Sequence, residues 1–548
     1  MASKTIEIPI LIAGGGPVGL ALALDLNFHG TPSLVVERTA TTGKEPLAKA
    51  GTFNERTMEF CRRWGLIDRI AEGFPDDLPR DTVYCTALDG ELLGRSSVPS
   101  ARDRGIPPVS PEMMRRCPQY KFDPILADGV MASEHAGIRY NTRMDRFEQD
   151  EDGVTSWLTD LESNEQIIVR SQYLVGCDGV RSTVREGLNI PLEVIADLDY
   201  SLSAMIEIDD IDPFHTFGRC ERFMFIGPEG TWANMTSVDG LKLWRFTVVG
   251  VEASLQPEKF DIDSVIRRAF GNVGVPYTIK KVVPWRRAQT LARHYGHGRV
   301  MLAGDSTHTT SPTGGHGVNT GIADAVGLSW VLSALVDGWG TPGLLQAYEA
   351  ERRPVALRNF GSSTENYKVW VAKGMDNVLA DGPLGVAARR NIGNFMQSGL
   401  QQEWYSQGIA LGYRYENSPV IIPDGTPAPQ DHPSFYFPTA RPGHRAPHAW
   451  LADGRSIIDL FGPGFVLLDF GAEPQDVDAL CRAAQSSGAP LRIERIAQPE
   501  VAALYQRKLV LVRPDGHVAW RADVAPADTH AIFERLRGAH PILEQQHV

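Results

Sequence analysis

Three carboxylates stand where an apolar run gives way to small or polar residues. Glu37 follows "SLVV", Asp178 follows "YLVGC" and Asp305 ends "RVMLAGD". Ligands of open α/β sheets collect at the carboxyl ends of buried strands, where a carboxylate accepts hydrogen bonds from sugar-type hydroxyls. Glycines accompany the carboxylates. Gly14-Gly15-Gly16-Pro17-Val18-Gly19 fits G-x-G-x-x-G, and Gly314-Gly315-His316-Gly317 follows Asp305 and Pro312. In the first motif Gly14 permits a tight turn, Gly16 admits a pyrophosphate to the backbone, and Gly19 lets helix pack closely on strand. The helix that follows offers free N–H groups and a partial positive charge to phosphates. An acid such as Glu37, about 20 residues beyond the glycines, binds a ribose hydroxyl and repels a 2′-phosphate.

The elements that must position these groups are legible in outline. "IPILIAG" is a continuous apolar strand, "PVGLALALDLNFHG" a helix ended by Gly30, and "SLVVER" the next strand. Together they predict a parallel sheet covered on both faces. "YLVGCDGVRSTVRE" reads as strand, turn and helix, either a second nucleotide contact through Asp178, Arg181 and Arg185 or an ordinary turn capped by Ser182. After Asp305 a polar loop leads to a helix whose Val318, Ile322, Val326 and Trp330 recur every fourth residue and face a core. Residues 80–115 read as irregular. Between 200 and 290 strands dominate, as an antiparallel sheet inserted between nucleotide-binding segments. A Pro-rich stretch at 418–447 precedes a final region with strands "GFVLLDFG", "PLRIERIA" and a hairpin turning at Asp515-Gly516.

Composition bounds the partners. The 548 residues imply two or three domains, and 43% hydrophobic with 22% charged residues is an ordinary globular composition. A net charge of −13 argues against nucleic acid or an anionic membrane as partner. Six scattered cysteines without a C-x-x-C pair point away from zinc and disulfides and toward a reducing cytoplasm. The segment "MASKTIEIPILIAGGG" reads as a first strand, not a signal peptide or membrane span. No Ser-His-Asp set or metal-ligand cluster appears, and no catalytic residue is named.

In this order, the three motifs resemble the flavoprotein aromatic hydroxylases of the p-hydroxybenzoate hydroxylase type. The nearest look is to the subset of phenol, dichlorophenol and polyketide-tailoring hydroxylases that carry a C-terminal thioredoxin-like domain. The resemblance implies an α/β fold: a Rossmann-like FAD-binding domain (1–80, 112–190 and 285–400), an inserted antiparallel-sheet substrate domain (81–111 and 191–284), a linker (401–440) and a thioredoxin-like domain (441–548). It implies FAD, with NADPH or NADH as transient reductant and O2 as co-substrate, hydroxylating a phenolic or other electron-rich aromatic ring through a C4a-hydroperoxyflavin. A homodimer is the expected assembly.

Carried across by motif, Gly14, Gly16, Pro17, Val18 and Gly19 would hold the FAD pyrophosphate, and Glu37 with Arg38 the adenosine ribose. Gln119 would lie near the ribityl chain, Asp178 at FAD and the nicotinamide, and Gly304-Asp305 at the ribityl and phosphate portion. The loop Pro312–Asn319, including Gly315, Gly317, Val318 and Asn319, would face the pyrimidine edge, with the helix N-terminus supplying positive potential there. Three positions depart from the family pattern. Lys49 stands where arginine is expected and lacks its planar fork. Gly327 stands where Asn is frequent, and His316 is either a flavin-tuning or pH-sensing group or a loop histidine without chemical role. Only Cys481 lies in the C-terminal region, so a redox role for it is not expected. Trp232, Asn234 and Thr236, read as sharing one strand face, are candidate substrate contacts, with Leu243 and Arg245 nearby. His215, Tyr277 and His316 are the titratable candidates for deprotonating a phenol. Competing readings are a flavin-binding protein without turnover, a flavin oxidase, or a halogenase, whose W-x-W-x-I-P motif is absent.

Overall fold

The structure is a computed structural model, and it describes residues 4–43, 49–252 and 256–539. The end of the region expected as 441–548 therefore lies partly outside the described residues. A parallel sheet forms the first layer, in the order Val300–Leu302, Gln166–Gly176, Lys4–Ala13, Ser33–Val36 and Ala136–Arg139. Residues of Lys4–Ala13 alternate between two cores. Ile10 and Ile12 face helices Pro17–Phe28, Gln119–Met131 and His316–Val336, while Leu11 and Ala13 face the antiparallel strands Thr142–Gln149 and Val154–Asp160. Helix Pro17–Phe28 is buried from Gly19 to Leu26, and each fully buried leucine stabilises the fold by roughly 1.5–3 kcal/mol.

A second sheet of eight strands runs in the order His308–Thr309, Thr278–Ala292, Leu192–Glu207, Leu243–Val251, Gly230–Ser237, Arg222–Gly227, Thr82–Cys85 and Leu92–Ser96. It is antiparallel except where Arg222–Gly227 pairs in parallel with Thr82–Cys85. The stretch read as irregular, 80–115, thus supplies the edge strand Leu92–Ser96 and its neighbour Thr82–Cys85, whose short runs "TVYC" and "LLGRS" are hidden by intervening polar residues. Helix Ile262–Phe270 covers one face of this sheet through Ile266, Ala269 and Phe270.

Long helices Gly343–Trp370 and Gly382–Gly399 follow. The stretch 401–440, expected as a linker, contains helices Gln401–Trp404 and Gln407–Leu411 and buries Trp404, Ile409, Tyr413 and Ile421. It is packed chain, not a tether. The C-terminal unit has the order β-α-β-α-β-β-α between Phe465 and Leu536 around a four-stranded sheet. Its last two strands, Leu509–Val512 and Val518–Ala522, form the hairpin at Asp515-Gly516. Helix His316–Val336 is long and apolar enough to cross a membrane, but 89% of its apolar window is buried inside this fold.

Candidate active site

Sheet register brings the three carboxylates to one edge. Ala13 pairs with Val36 on one side and Gly176 on the other, and Gly176 pairs with Leu302. The chain leaves this common row toward Gly14, Glu37, Cys177-Asp178 and Gly304-Asp305, so segments far apart in sequence line one cleft.

The glycines of the first turn do different work. Gly14 has φ of 109°, and a side chain there would run into the Cys177 carbonyl. A β-carbon on Gly19 would strike the Gly14 carbonyl, which is the close helix–strand approach the motif requires. One on Gly16 would meet no protein atom within 4 Å. Gly16 caps helix Pro17–Phe28, which has Pro17 at its start, no side-chain cap and no acid in its first turn. That is an open anion-binding helix terminus. Val18 packs under the adjacent turn, against the places where side chains on Gly304 and Gly321 would stand.

Glu37 accepts from the Gly15 N–H at 2.8 Å and from the Thr39 N–H and hydroxyl at 2.9 and 2.8 Å. It therefore shapes the turn as well as presenting a carboxylate beside it; Arg38 is exposed next to it. Asp178 accepts from the Val184 N–H at 3.2 Å through Oδ2, whereas its buried Oδ1 has no partner. Burial raises its carboxyl above the ordinary range against the hydrogen bonds from Ser182 and Val184. Ser182 does cap its helix, accepting from the Arg185 N–H at 2.9 Å. Asp305 opens to the cleft yet stands deep among protein atoms, and that desolvation raises its pKa, with His308 and Lys49 opposing. Gln119 begins its helix and donates to Asp123 at 2.9 Å. Asp123 is buried with Oδ1 unpartnered, and burial pushes it up to about 7.

The polar loop turns at Pro312, whose carbonyl accepts from the Gly315 N–H at 3.0 Å. Gly315 caps helix His316–Val336 in the left-handed region, with φ of 67°, and no side chain caps the first turn, which includes Gly317 and Val318. Asn319 is saturated: Oδ1 accepts from Asn54 N–H and the Thr57 hydroxyl at 2.9 and 2.7 Å, and Nδ2 donates to the carbonyls of Thr52 and Gly315 at 3.0 and 2.7 Å. Its side chain ties the loop to its neighbour and leaves only the backbone for a ligand. His316 is buried, 3.4 Å from the Ser362 hydroxyl, and lines a small cavity of about 20 Å³ with Asn319, Thr320 and Asn359. Burial and Arg358 hold its pKa down at about 4, so it is neutral at physiological pH and does not sense pH there.

The candidate substrate face needs a correction. Phe225 pairs with Ala233 but Ile226 pairs with Thr231, so Trp232 is the extra residue of a β-bulge. The bulge turns Trp232 to the outer face, where it packs with Phe225 and lies under Arg268 at 4.0 Å. Asn234 and Thr236 remain on the opposite face, with Thr236 in register between Arg222 and Arg245. His215, stacked near Phe217 and Phe223, and Tyr277, donating to Asp263 at 2.6 Å, belong to the outer face with Trp232.

Sequence reasoning placed Arg245 near the substrate candidates but missed the arginines gathered around it at the inner face. Arg116 and Arg80 share Glu221 at 3.1 Å each, Arg222 meets Glu403 at 2.7 Å, and Arg287 meets Asp199 at 3.1 Å. Arg245 has no carboxylate within ion-pair distance among the described residues, and its Nη1 lies 3.5 Å from the Lys49 carbonyl. Burial, with Arg222, Arg116 and Arg287 nearby, lowers its pKa to about 10. Aromatic rings frame the group: Arg287 lies over Trp285 and Tyr367 at 4.8 and 4.9 Å, and Arg222 over Trp404 at 4.5 Å. No spacing in the sequence marks these residues; only strand pairing assembles them.

Comparison with known proteins agrees with this geometry. A family described as FAD binding domain matches residues 7–362, and one described as aromatic-ring hydroxylase, C-terminal, matches 439–539. Tetracenomycin B2 monooxygenase-dioxygenase of Streptomyces olivaceus is 32% identical over 96% of this chain and 98% of its own. Among solved structures, the rebeccamycin biosynthetic enzyme RebC with reduced flavin superposes with a TM-score of 0.90 at 36% identity, covering 98% of this chain and 100% of that one. Aklavinone-11 hydroxylase with FAD and aklavinone gives 0.80 at 29%, covering 97% and 99%. Open helix termini, orphaned carboxylate oxygens and family matches along the length of the sequence agree: the chain belongs to the FAD-dependent aromatic-ring hydroxylases, and FAD is its cofactor.

Proposed function

We propose that this chain hydroxylates an electron-rich aromatic compound that carries an acidic group, using NAD(P)H and O2. The observation that carries the substrate class is Arg245. Among the described residues, five guanidinium groups, Arg80, Arg116, Arg222, Arg245 and Arg287, face three carboxylates, Glu221, Glu403 and Asp199. A partly buried cation such as Arg245, crowded by other cations and without a counter-charge, is costly. A carboxylate or phenolate on the substrate supplies the missing charge and places the ring beside the Lys49–Asp305 end of the cleft. Thr236, whose buried hydroxyl has no partner, adds a hydrogen bond.

Bound FAD supplies the oxygen-activating chemistry, and the protein's part is to bind, orient and exclude water. Gly14, Gly16, Pro17, Val18 and Gly19 hold the pyrophosphate at the helix terminus. Glu37 and Arg38 take the adenosine ribose. Gln119, Asp178, Gly304 and Asp305 take the ribityl and phosphate portion, with Lys49 as the nearby cation. The backbone from Pro312 to Asn319, with its uncapped helix terminus, would face the pyrimidine edge and favour negative charge there. The β-α-β-α-β-β-α order supports a thioredoxin-like C-terminal unit, and its one cysteine, Cys481, supports no dithiol chemistry.

The test is a paired screen with purified holoenzyme. Aromatic acids and phenols should support NAD(P)H oxidation with gain of one oxygen atom by mass spectrometry, and the same rings with the acid esterified or methylated should not. Peroxide formation without product across both sets would replace hydroxylation by an oxidase reading, and equal turnover of blocked and free acids would remove the anionic requirement.

A further inference from the structure

The hairpin of the C-terminal unit does not sit apart from the cleft. Its tip, Arg513–His517, is wedged among three helices of the nucleotide-binding layer. Arg513 is buried, lies over the Trp330 ring of helix His316–Val336 at 4.9 Å, and grips Glu351 of helix Gly343–Trp370 with bonds of 2.5 and 2.8 Å. The Asp515 and Pro514 carbonyls accept from Arg56 and Arg63 of helix Glu55–Arg63 at 2.6 and 3.0 Å. Asp515 is held by Arg513 and His517, and the His517 ring packs on Tyr415 with centroids 4.3 Å apart.

Glu351 is next to Arg352, and here the tip meets the cleft. Arg352 donates to Tyr415 Oη at 3.2 Å and to Asp324 at 2.7 Å. The other Asp324 oxygen accepts from His308 Nε2 at 2.6 Å and from the Gly304 N–H at 3.3 Å. Gly304 is the left-handed residue immediately before Asp305. A buried polar chain therefore runs from the hairpin tip to the turn that aims Asp305. Burial would raise the Asp324 carboxyl, but His308 and Arg352 outweigh it and keep the group ionised. Charges buried at this density are a poor way to gain stability, because apolar residues of the same volume often do as well. What such a network fixes is geometry.

We infer that the hairpin tip Arg513–His517 is a positioning element of the flavin site, acting through Glu351–Arg352, Tyr415 and Asp324 on the Gly304–Asp305 turn. The inference rests on reading that turn as a flavin contact.

Arg513→Lys keeps the charge but loses the fork that spans Glu351 and Asp515. Tyr415→Phe removes only the oxygen that accepts from Arg352. Leu468→Ala, in the core of the C-terminal sheet, is the control for general loss of stability. The measurements are melting temperature, FAD dissociation from reconstituted protein, flavin absorbance and midpoint potential. Both chain variants should weaken FAD retention by about 10-fold or more, with a shifted flavin spectrum and potential, while the control retains FAD within about 2-fold at an equal or greater loss of melting temperature. If FAD loss tracks melting temperature alike in all three, or if both chain variants keep wild-type retention, spectrum and potential, the positioning role is overturned. If Asp305→Ala leaves FAD retention unchanged in the same assay, the reading of the turn fails instead, which separates the two ideas.

Discussion

The cleft and the core behind it are built from the same kinds of residue but are finished differently. At the cleft, polar groups are left open: Asp178 Oδ1 and the Thr236 hydroxyl lack partners, Arg245 lacks a counter-charge, and two helix termini are uncapped. Behind it, Asp324, Arg352, Glu351, Arg513 and Asp515 are all buried and each is multiply bonded. Buried polar groups in native proteins are satisfied. Unpartnered polar atoms occur elsewhere too, His517 Nε2 among them, but at the cleft they stand beside open helix termini where a ligand would meet them, whereas a multiply bonded cluster holds a shape. The difference separates a binding surface from its frame without reference to any relative.

Substitutions can break this comparison. Gly14→Ala meets the Cys177 carbonyl and a left-handed backbone, so we expect loss of soluble folded protein, checked by expression and circular dichroism. Gly16→Ala meets only open space, so the apoprotein should keep its melting temperature while FAD affinity falls by about 100-fold, roughly 2.7 kcal/mol. Equal behaviour of the two glycines would erase the distinction between frame and ligand face. Arg245→Met should raise KM for an acidic aromatic substrate by about 10- to 100-fold, the worth of a charged hydrogen bond, with FAD content unchanged.

Two acids should give opposite pH slopes in urea unfolding. Glu59, in the frame between Arg445 and Arg56, would be raised by burial, but the arginines pull it to about 2. Its folded pKa lies below the unfolded value, so its contribution, on the order of 3 kcal/mol, is present at neutral pH and lost as pH falls from 4.5 toward 2. Asp123, beside the cleft, is raised to about 7. The folded protein keeps a proton there that the unfolded chain releases near pH 4, so stability declines as pH rises from 4 through 7. Asp123→Asn should flatten that decline and raise apoprotein stability at pH 8, and a slope left unchanged would mean that Asp123 does not titrate there. The smallest effect is expected at Trp232→Phe, which leaves KM near the wild-type value because the ring faces away from the cleft.

The parts of the molecule written in local chemistry were legible before the structure. Gly14–Gly19, the strands ending near Glu37, Asp178 and Asp305, and the helix after Gly315 are read from adjacent residues, because turns and helix termini are local. Two short strands in 80–115 were missed because four- and five-residue strands carry too little alternation. Trp232 was misplaced because a bulge, invisible in sequence, reverses the period of two on which the reading depended. Arg245 was read as near the substrate, but Arg222 and Arg287 were missed because they join it only through pairing of distant strands, and Arg116 because it comes from a separate two-stranded sheet. The packed stretch 401–440 looked like a tether because proline content signals irregular backbone, not exposure.

The four hydrogen bonds of Asn319 bear on how the enzyme admits its substrate. They fasten the start of helix His316–Val336 to Thr52, Asn54 and Thr57, so the glycine loop and the neighbouring strand move as one body. Three of the four cross to that neighbour, and a door in this wall would have to break all three at once.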